Sequence, residues 1–218
     1  ISEIDLKGRF LSYDRLNDEI GNYQLCLFNP SQYVRETFKP IYEEKRVRNF
    51  SQADRERFLI GMMKVNFLKR LESSVHSFAV TMARTVEKIE KLERRLKAFK
   101  EQASRPVTPA VQEDMFAPEQ LEMEMVEEGD EELSEAFEVG GSLKFNMAHL
   151  DVDRWLKDLA KDKQQLDLLS THALAVTAER DAKLRELRAI IEKKVKHPTV
   201  NSRGEPNRKV IVFCAFAD

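Results

Sequence analysis

The sequence predicts a mainly α-helical protein: a long antiparallel helical hairpin of coiled-coil type, with short N-terminal helices and one C-terminal β-strand. Three observations support this fold class. The chain of 218 residues contains only 7 Gly and 7 Pro, so few turns interrupt its elements. Charged residues make up 34% of the chain, which is typical of long solvent-exposed helices. Two separate stretches repeat apolar residues at alternating intervals of three and four, the spacing of coiled-coil helices.

Residues 1–50 are predicted to form short helices. Apolar residues recur at helical spacing between Leu6 and Ile20. Asn29-Pro30-Ser31 then marks a break and the start of a new helical segment, because proline ends a helix but is tolerated in its first turn.

A long helix is predicted over residues 51–102. Ser51 is a suitable N-cap, since its hydroxyl can accept a hydrogen bond from a backbone N–H of the first turn. No proline occurs up to Lys100, and Gly61 is the only glycine. A helix of about 45 residues would reach roughly 70 Å and would need a partner along its apolar face. The heptad positions of this helix are Leu68, Leu71, Val75, Phe78, Met82, Thr85, Ile89, Leu92, Leu96 and Phe99.

The partner is predicted to be a second long helix over residues 149–197. Asp151 and Asp153 stand at its start, where carboxylates favour the helix dipole, and Pro198 follows its end. Two such helices running in opposite directions make an antiparallel hairpin. The apolar positions of the second helix are Val152, Leu156, Leu159, Leu166, Leu169, Ala173, Val176, Leu184, Leu187 and Ile191.

Residues 103–148 form the predicted tip of this hairpin. Glu113 to Glu138 contains twelve acidic residues and no basic ones, with prolines before it and Gly140-Gly141 after it. This composition predicts a mobile linker rather than a packed element.

Residues 198–218 are predicted to form a loop followed by a β-strand. The strand is Val210-Ile211-Val212-Phe213, a β-branched and aromatic run typical of a buried strand with neighbours on both sides. No further element follows it, and the chain begins at Ile1 without a methionine. We therefore expect this chain to be a fragment of a larger protein.

The composition argues against several classes of function. The chain has no G-x-x-x-x-G-K-[ST] phosphate loop, and its four histidines lack zinc-ligand spacing. We see no catalytic constellation, and we expect neither ATP binding nor a metal in this segment. No apolar run approaches the roughly 18 residues that cross a bilayer. The two cysteines, Cys26 and Cys214, match no disulfide or metal spacing, so we expect a reduced, cytoplasmic protein without a membrane partner.

A basic face on the first long helix is the candidate functional site. Asn66 and Thr81 share helical spacing with seven basic or hydroxyl residues, and no acidic residue falls among them. Such side chains can contact successive phosphates of a duplex, although solvated basic faces are also common on coiled coils. The acidic run could compete for the same face. The seven residues, called here the basic face, are Arg70, Ser73, Ser77, Arg84, Lys88, Lys91 and Arg95.

Two sequence elements resemble the Swi/Snf-type superfamily-two helicases. Asp181, Lys183, Leu184 and Leu187 match a D-x-K-L-x-x-L helix, which in these enzymes precedes a K-V-[IL]-[VI]-F strand, here Lys209–Phe213. The stretch "MMKVNFLKRLESS" resembles a helix that a bacterial branch of the family carries between its two motor lobes. The resemblance extends over residues 12–218 apart from the acidic run.

The resemblance implies that this chain is the helical region between two RecA-like lobes, with the first strand of a truncated second lobe. ATP and Mg²⁺ would bind to the lobes rather than to this fragment, which alone would be inactive. Its partners would be those lobes and double-stranded DNA, and the exposed C-terminal strand could self-associate. The alternative is a self-contained coiled-coil scaffold or adaptor with an acidic interaction loop.

Overall fold

A computed structural model of the protein describes residues 4–43, 51–103, 115–118 and 143–213. The described chain is mainly helical, as the sequence predicts, with two small two-stranded β-sheets. Short 3₁₀ turns lie between the first two α-helices and before the fifth. The α-helices are α1 (Tyr13–Gly21), α2 (Lys39–Glu43), α3 (Gln52–Ser73), α4 (Val75–Ala103), α5 (Val152–Leu174) and α6 (Ala182–Lys196).

The centre of the fold is an antiparallel pair formed by α4 and α5. Lys100 near the end of α4 pairs with Asp153 at the start of α5, and the Ser170 hydroxyl near the end of α5 donates to the Ala79 carbonyl at the start of α4. The predicted helical hairpin is therefore confirmed for these two helices. The side chains that both helices bury between them recur every three or four residues: Phe78, Met82, Ile89, Leu92, Leu96, Trp155, Leu159, Leu166 and Leu169.

The helix predicted over residues 51–102 is two helices, divided at Ser74. Ser74 has an extended backbone (φ −157°, ψ 152°), which no continuous helix permits. Its hydroxyl accepts a hydrogen bond from the Ser77 N–H at 2.8 Å, so it caps the start of α4. Two consecutive serines offer the backbone alternatives to helical hydrogen bonds, which is the physical reason for the break. The predicted cap at Ser51 is confirmed, because its hydroxyl accepts from the Asp54 N–H at 3.1 Å.

The helix predicted over residues 149–197 is also two helices. Asp151 caps α5 as expected, accepting from the Arg154 N–H at 3.1 Å. The chain then leaves the helix after Leu174, and Asp181 starts α6 by accepting from the Lys183 and Leu184 N–H groups. The expectation that Leu184, Leu187 and Ile191 continue the α5 face is wrong, because residues 175–181 interrupt the helix and α6 buries only Ala182.

The N-terminal segment packs around α5, with α1 and the 3₁₀ turns as its short helices. Trp155 of α5 is fully buried, stacks on Tyr33 at 5.3 Å between ring centroids, and donates from Nε1 to the Cys26 carbonyl at 2.9 Å. Asp162 of α5 accepts from the Cys26 N–H at 2.5 Å, directly after Leu25, whose φ is +50°. These contacts fasten the turn at residues 25–28 to α5.

Two antiparallel two-stranded sheets occur among the described residues. Strands β1 (Met115–Phe116) and β2 (Phe145–Asn146) pair within the segment predicted as the acidic tip. The prediction of an unpacked linker is wrong at Phe116, Phe145 and Met147, which are buried in the core. Residues 104–114 and 119–142 of that segment lie outside the described residues. Strands β3 (Thr199–Val200) and β4 (Pro206–Asn207) pair beyond α6, with Gly204 at φ +80° in their turn.

The strand predicted at Val210–Phe213 is wrong for this structure. These residues are irregular, and Phe213 is 90% exposed. A strand requires hydrogen bonds to a neighbouring strand, and no described residue provides them. Separately, none of the described helices is both long and apolar enough to cross a membrane.

Candidate nucleic-acid interface

Four of the seven basic-face residues lie on one side of α4. Arg84 and Lys91 are exposed, whereas Lys88 and Arg95 are half-buried. Their spacing of four, three and four residues keeps them aligned along about 16 Å of helix. None of the four is without a partner within the chain. A polyanion that binds here must therefore compete with intramolecular contacts.

Two glutamates of α4 are held towards α5 by Lys163, whereas the exposed Glu87 lies beside Arg84 and Lys91 at helical spacing. Glu93 is buried and pairs with Lys163 of α5 at 2.9 Å, and Glu90 lies 3.8 Å from the same ammonium group. The pairing with Glu93 raises the pKa of Lys163, so this lysine stays charged and holds both carboxylates towards α5.

Arg95 has a structural role in addition to its charge. Its Nη2 donates to the Met115 carbonyl at 2.7 Å, and its guanidinium carbon lies 5.5 Å from the centroid of the Phe116 ring. Arg95 thus holds the β1 strand against α4, and it is the least suitable of the four for probing DNA contact.

The remaining three basic-face residues do not belong to this surface. Arg70 and Ser77 are buried, with 2% and 1% of their surface exposed, so they cannot contact a phosphate in this structure. Ser73 is half-buried at the end of α3. The prediction of one continuous face is wrong because the break at Ser74 changes the helical phase between residues 73 and 77. Asn66 and Thr81, at the same spacing, are buried as well.

A second polar cluster, which we call the junction, joins the N-terminal segment, the end of α3 and the start of α6. Lys183 Nζ donates to the carbonyls of Glu72 and Ser73, at 2.9 Å for the latter. The Tyr13 hydroxyl donates to the Glu72 carboxylate at 2.9 Å. Lysine at this place satisfies carbonyl groups that the last turn of α3 leaves without helical partners.

Asp5 is the buried centre of the junction. Its carboxylate accepts from Arg180 Nε at 3.0 Å and Nη2 at 2.5 Å, and also from the Arg9 and Phe10 N–H groups. The Arg180 guanidinium, helped by backbone N–H groups, holds the pKa of Asp5 well below its usual range. Backbone hydrogen bonds between residues 4–6 and 180–182 add to this contact.

Sequence reasoning missed Asp5 and Arg180. The two residues are 175 positions apart, and neither stands in a repeating pattern. The one local signal was that Asp5 and Gly8 are turn-forming residues at turn spacing.

Glu56 is a buried carboxylate beside a cleft of about 760 Å³ that is also lined by Asn29, Lys39 and Arg154. It accepts hydrogen bonds from the Ser31 hydroxyl and from Gln52 Nε2, the latter at 2.9 Å. Burial raises the pKa of Glu56 to about 7, against its usual 4.5.

The free energy of unfolding should therefore fall as the pH rises from about 4.5 to 7. In that interval the folded protein keeps a proton on Glu56 that the unfolded chain has released, so ionisation costs the folded state up to about 3 kcal/mol. Glu56→Gln should remove this decline, measured by urea denaturation at pH 5 and pH 8. Glu87→Gln, at an exposed position, is the matched control, and its free energy of unfolding should still decline with pH as in wild type. Equal pH dependence in wild type and Glu56→Gln would contradict the assignment.

Within the described ranges, no group of three or more His, Cys, Asp or Glu side chains is arranged to hold a metal ion. Comparison with protein-family models, with curated proteins and with solved structures finds no match to this chain.

Proposed function

We propose that this chain is the helical region between the two motor lobes of an ATP-driven DNA translocase of Swi/Snf type. It braces the lobes and contacts duplex DNA through α4. The observation that carries the proposal is the junction: the two sequence elements that resemble the family meet there. Lys183 of the D-x-K-L-x-x-L element donates to the carbonyls of Glu72 and Ser73 in the K-R-L-E-S-S element.

This contact gives a physical reason why the two elements occur in the same chain. The lysine is held by the start of α6, where Asp181 caps the helix, and its ammonium group reaches the negative end of the α3 dipole. The break at Ser74 ends α3 and leaves those carbonyls available. The two elements therefore depend on each other although about 110 residues separate them.

The bracing role is supported by what the junction connects. Residues 4–10 would follow the first lobe and α6 would lead into the second, and Asp5 and Arg180 tie these two segments together. Beyond α6, the apolar residues Val210–Phe213 are exposed, which supports their pairing with further strands of a second lobe. ATP and Mg²⁺ would be bound by the lobes.

The whole polypeptide provides the first test. At full length it should hydrolyse ATP faster in the presence of duplex DNA, whereas residues 1–218 alone should hydrolyse none. The scaffold alternative would be favoured if the full-length protein has no motor lobes, or if duplex DNA does not change its rate of ATP hydrolysis.

DNA contact by α4 is tested with the variants Arg84→Glu, Lys88→Glu and Lys91→Glu. Each should weaken binding to duplex DNA, and each lost phosphate contact should reduce the slope of log affinity against log salt by about one unit. Deletion of residues 119–138, which keeps β1 and removes ten of the twelve acidic residues, should leave binding unchanged or stronger, since it removes a competing polyanion. Lys97→Glu, exposed elsewhere on α4, is the control. If the three variants have the same affinity and the same salt slope as the Lys97→Glu control, α4 does not contact DNA.

A further inference from the structure

The segment from α6 to β4 concentrates positive charge outside the bundle. Residues 183–209 contain nine Lys and Arg against three Glu. All the lysines and arginines of this segment are exposed or half-exposed, because α6 buries only Ala182. Lys183 and Lys209 belong to the elements that resemble the helicase family, but the resemblance assigns no role to the other cations of this segment.

These cations are poorly neutralised. In residues 182–209, the one ion pair is Arg188 with Glu192 at 2.9 Å. Lys194 instead donates to the Thr199 hydroxyl, and Arg208 to the Val195 carbonyl. Arg185, Lys193 and Lys196 have no carboxylate among the described residues within ion-pair distance. The basic-face cations of α4, by contrast, all have partners within the chain.

Helical periodicity places these three side chains together. Arg185, Lys193 and Lys196 fall on one face of α6, opposite the apolar face that carries Leu184, Ile191 and Val195. Glu186 and Glu192 share this face, and Glu192 is paired with Arg188. Residues 185 and 196 are about 16 Å apart along the helix axis. That length corresponds to about five steps of 3.4 Å along one DNA strand.

The surface is also held in a fixed position. Asp181 and Lys183 anchor the start of α6 to the bundle. At the other end, Asn201 Oδ1 accepts from the Arg203 and Glu205 N–H groups, both at 2.9 Å, and orders the turn that carries Arg203. Ordered cations lose less conformational entropy on binding than flexible ones.

We propose that Arg185, Lys193 and Lys196, with Arg203 beside them, form a second contact surface for the phosphate backbone of duplex DNA. This inference rests on the proposed function, which supplies the duplex, and adds a surface that moves with α6 rather than with α4. A duplex is favoured over a lipid surface because a bilayer would need the apolar face of α6. Leu187 and Ile191 at the centre of that face are already half-buried, although Leu184 and Val195 at its edge are exposed.

The test compares two triple variants of residues 1–218 that change net charge equally. Arg185→Glu/Lys193→Glu/Lys196→Glu reverses the proposed surface, and Lys97→Glu/Lys157→Glu/Lys161→Glu reverses exposed lysines on α4 and α5. The probe is a random-sequence duplex of about 30 base pairs, titrated at several salt concentrations. The first variant should bind at least tenfold more weakly than the control, with a salt slope lower by about two to three. Circular dichroism checks the fold, and Gln replacements at the same three positions provide a milder series.

Each outcome has one meaning. If the α6 triple variant matches its control while Arg84→Glu weakens binding, the α6 surface is wrong and the proposed α4 contact stands. If neither surface responds, both assignments of DNA contact fail. If wild type binds phosphatidylserine vesicles but not the duplex, and Leu184→Ser abolishes that binding, the surface recognises a membrane and the inference is overturned.

Discussion

Trp155→Ala should lower the free energy of unfolding by about 3–5 kcal/mol. The side chain is fully buried where α5, the N-terminal segment and β1 meet, so its removal leaves a cavity that three elements surround. Tyr33 loses its stacking partner, Phe116 loses an edge contact at 5.2 Å, and the Cys26 carbonyl loses its donor. Urea denaturation followed by circular dichroism measures the change, since the variant lacks the only tryptophan.

Two further variants identify the source of this effect. Trp155→Phe keeps an aromatic ring but removes the Nε1 donor, and should cost about 1–3 kcal/mol, because a buried carbonyl is left unsatisfied. Leu168→Ala on the same helix is the control, since Leu168 is 57% exposed, and its cost should be well below that of either tryptophan variant. A Trp155→Ala protein as stable as the Leu168→Ala protein would show that α5 does not organise the N-terminal segment.

Asp5→Ala should be the next most destabilising change, by about 2–4 kcal/mol. It leaves the Arg180 guanidinium and several backbone N–H groups of the residue 5–10 turn without their acceptor. Asp5→Asn keeps the shape and some of these hydrogen bonds but not the charge, and should lie between wild type and Asp5→Ala. The exposed Asp18→Ala is the control, with an expected change under about 0.5 kcal/mol.

The pH dependence of the free energy of unfolding distinguishes the contribution of the Asp5–Arg180 ion pair from that of packing. The folded protein lowers the pKa of Asp5, so this carboxylate stabilises the fold above its usual pKa of about 4. That stability is lost as the pH falls through the folded value. Wild type should therefore lose stability on acidification more steeply than Asp5→Asn, measured by urea denaturation between pH 5 and pH 2.5. Parallel curves would show that Arg180 contributes no more than a neutral hydrogen bond.

The helical pairing could be predicted from sequence because it follows from local rules. Apolar residues at positions such as Phe78, Met82 and Ile89 need burial on one helix face, and caps such as Ser51 and Asp151 act within three residues. The break at Ser74 was missed because heptad spacing alone continues smoothly across it. A hydroxyl that caps the next helix competes with that spacing, and its effect depends on the final packing.

The candidate site was harder to predict, because exposure depends on tertiary structure. Periodicity placed Arg84, Lys88 and Lys91 correctly on one face of a single helix. Periodicity could not show that Arg70 and Ser77, which have the same spacing but lie on either side of the break at Ser74, are buried. The junction was beyond sequence reasoning for another reason: Asp5, Arg180 and Lys183 make contacts across more than a hundred residues, and no local pattern identifies their partners.

The pairing of residues 4–6 with residues 180–182 also determines when the N-terminal segment can fold. It closes a loop of most of the described chain, and the entropy cost of closure must be met before the contact stabilises anything. The α3–α4–α5 bundle shortens that loop, so we expect the Asp5–Arg180 contact to form after the bundle does. During synthesis, residues 4–10 are made well before residues 180–182 and must wait for them. We therefore expect Asp5→Ala to speed unfolding and to leave the folding rate nearly unchanged, as for any interaction absent from the transition state.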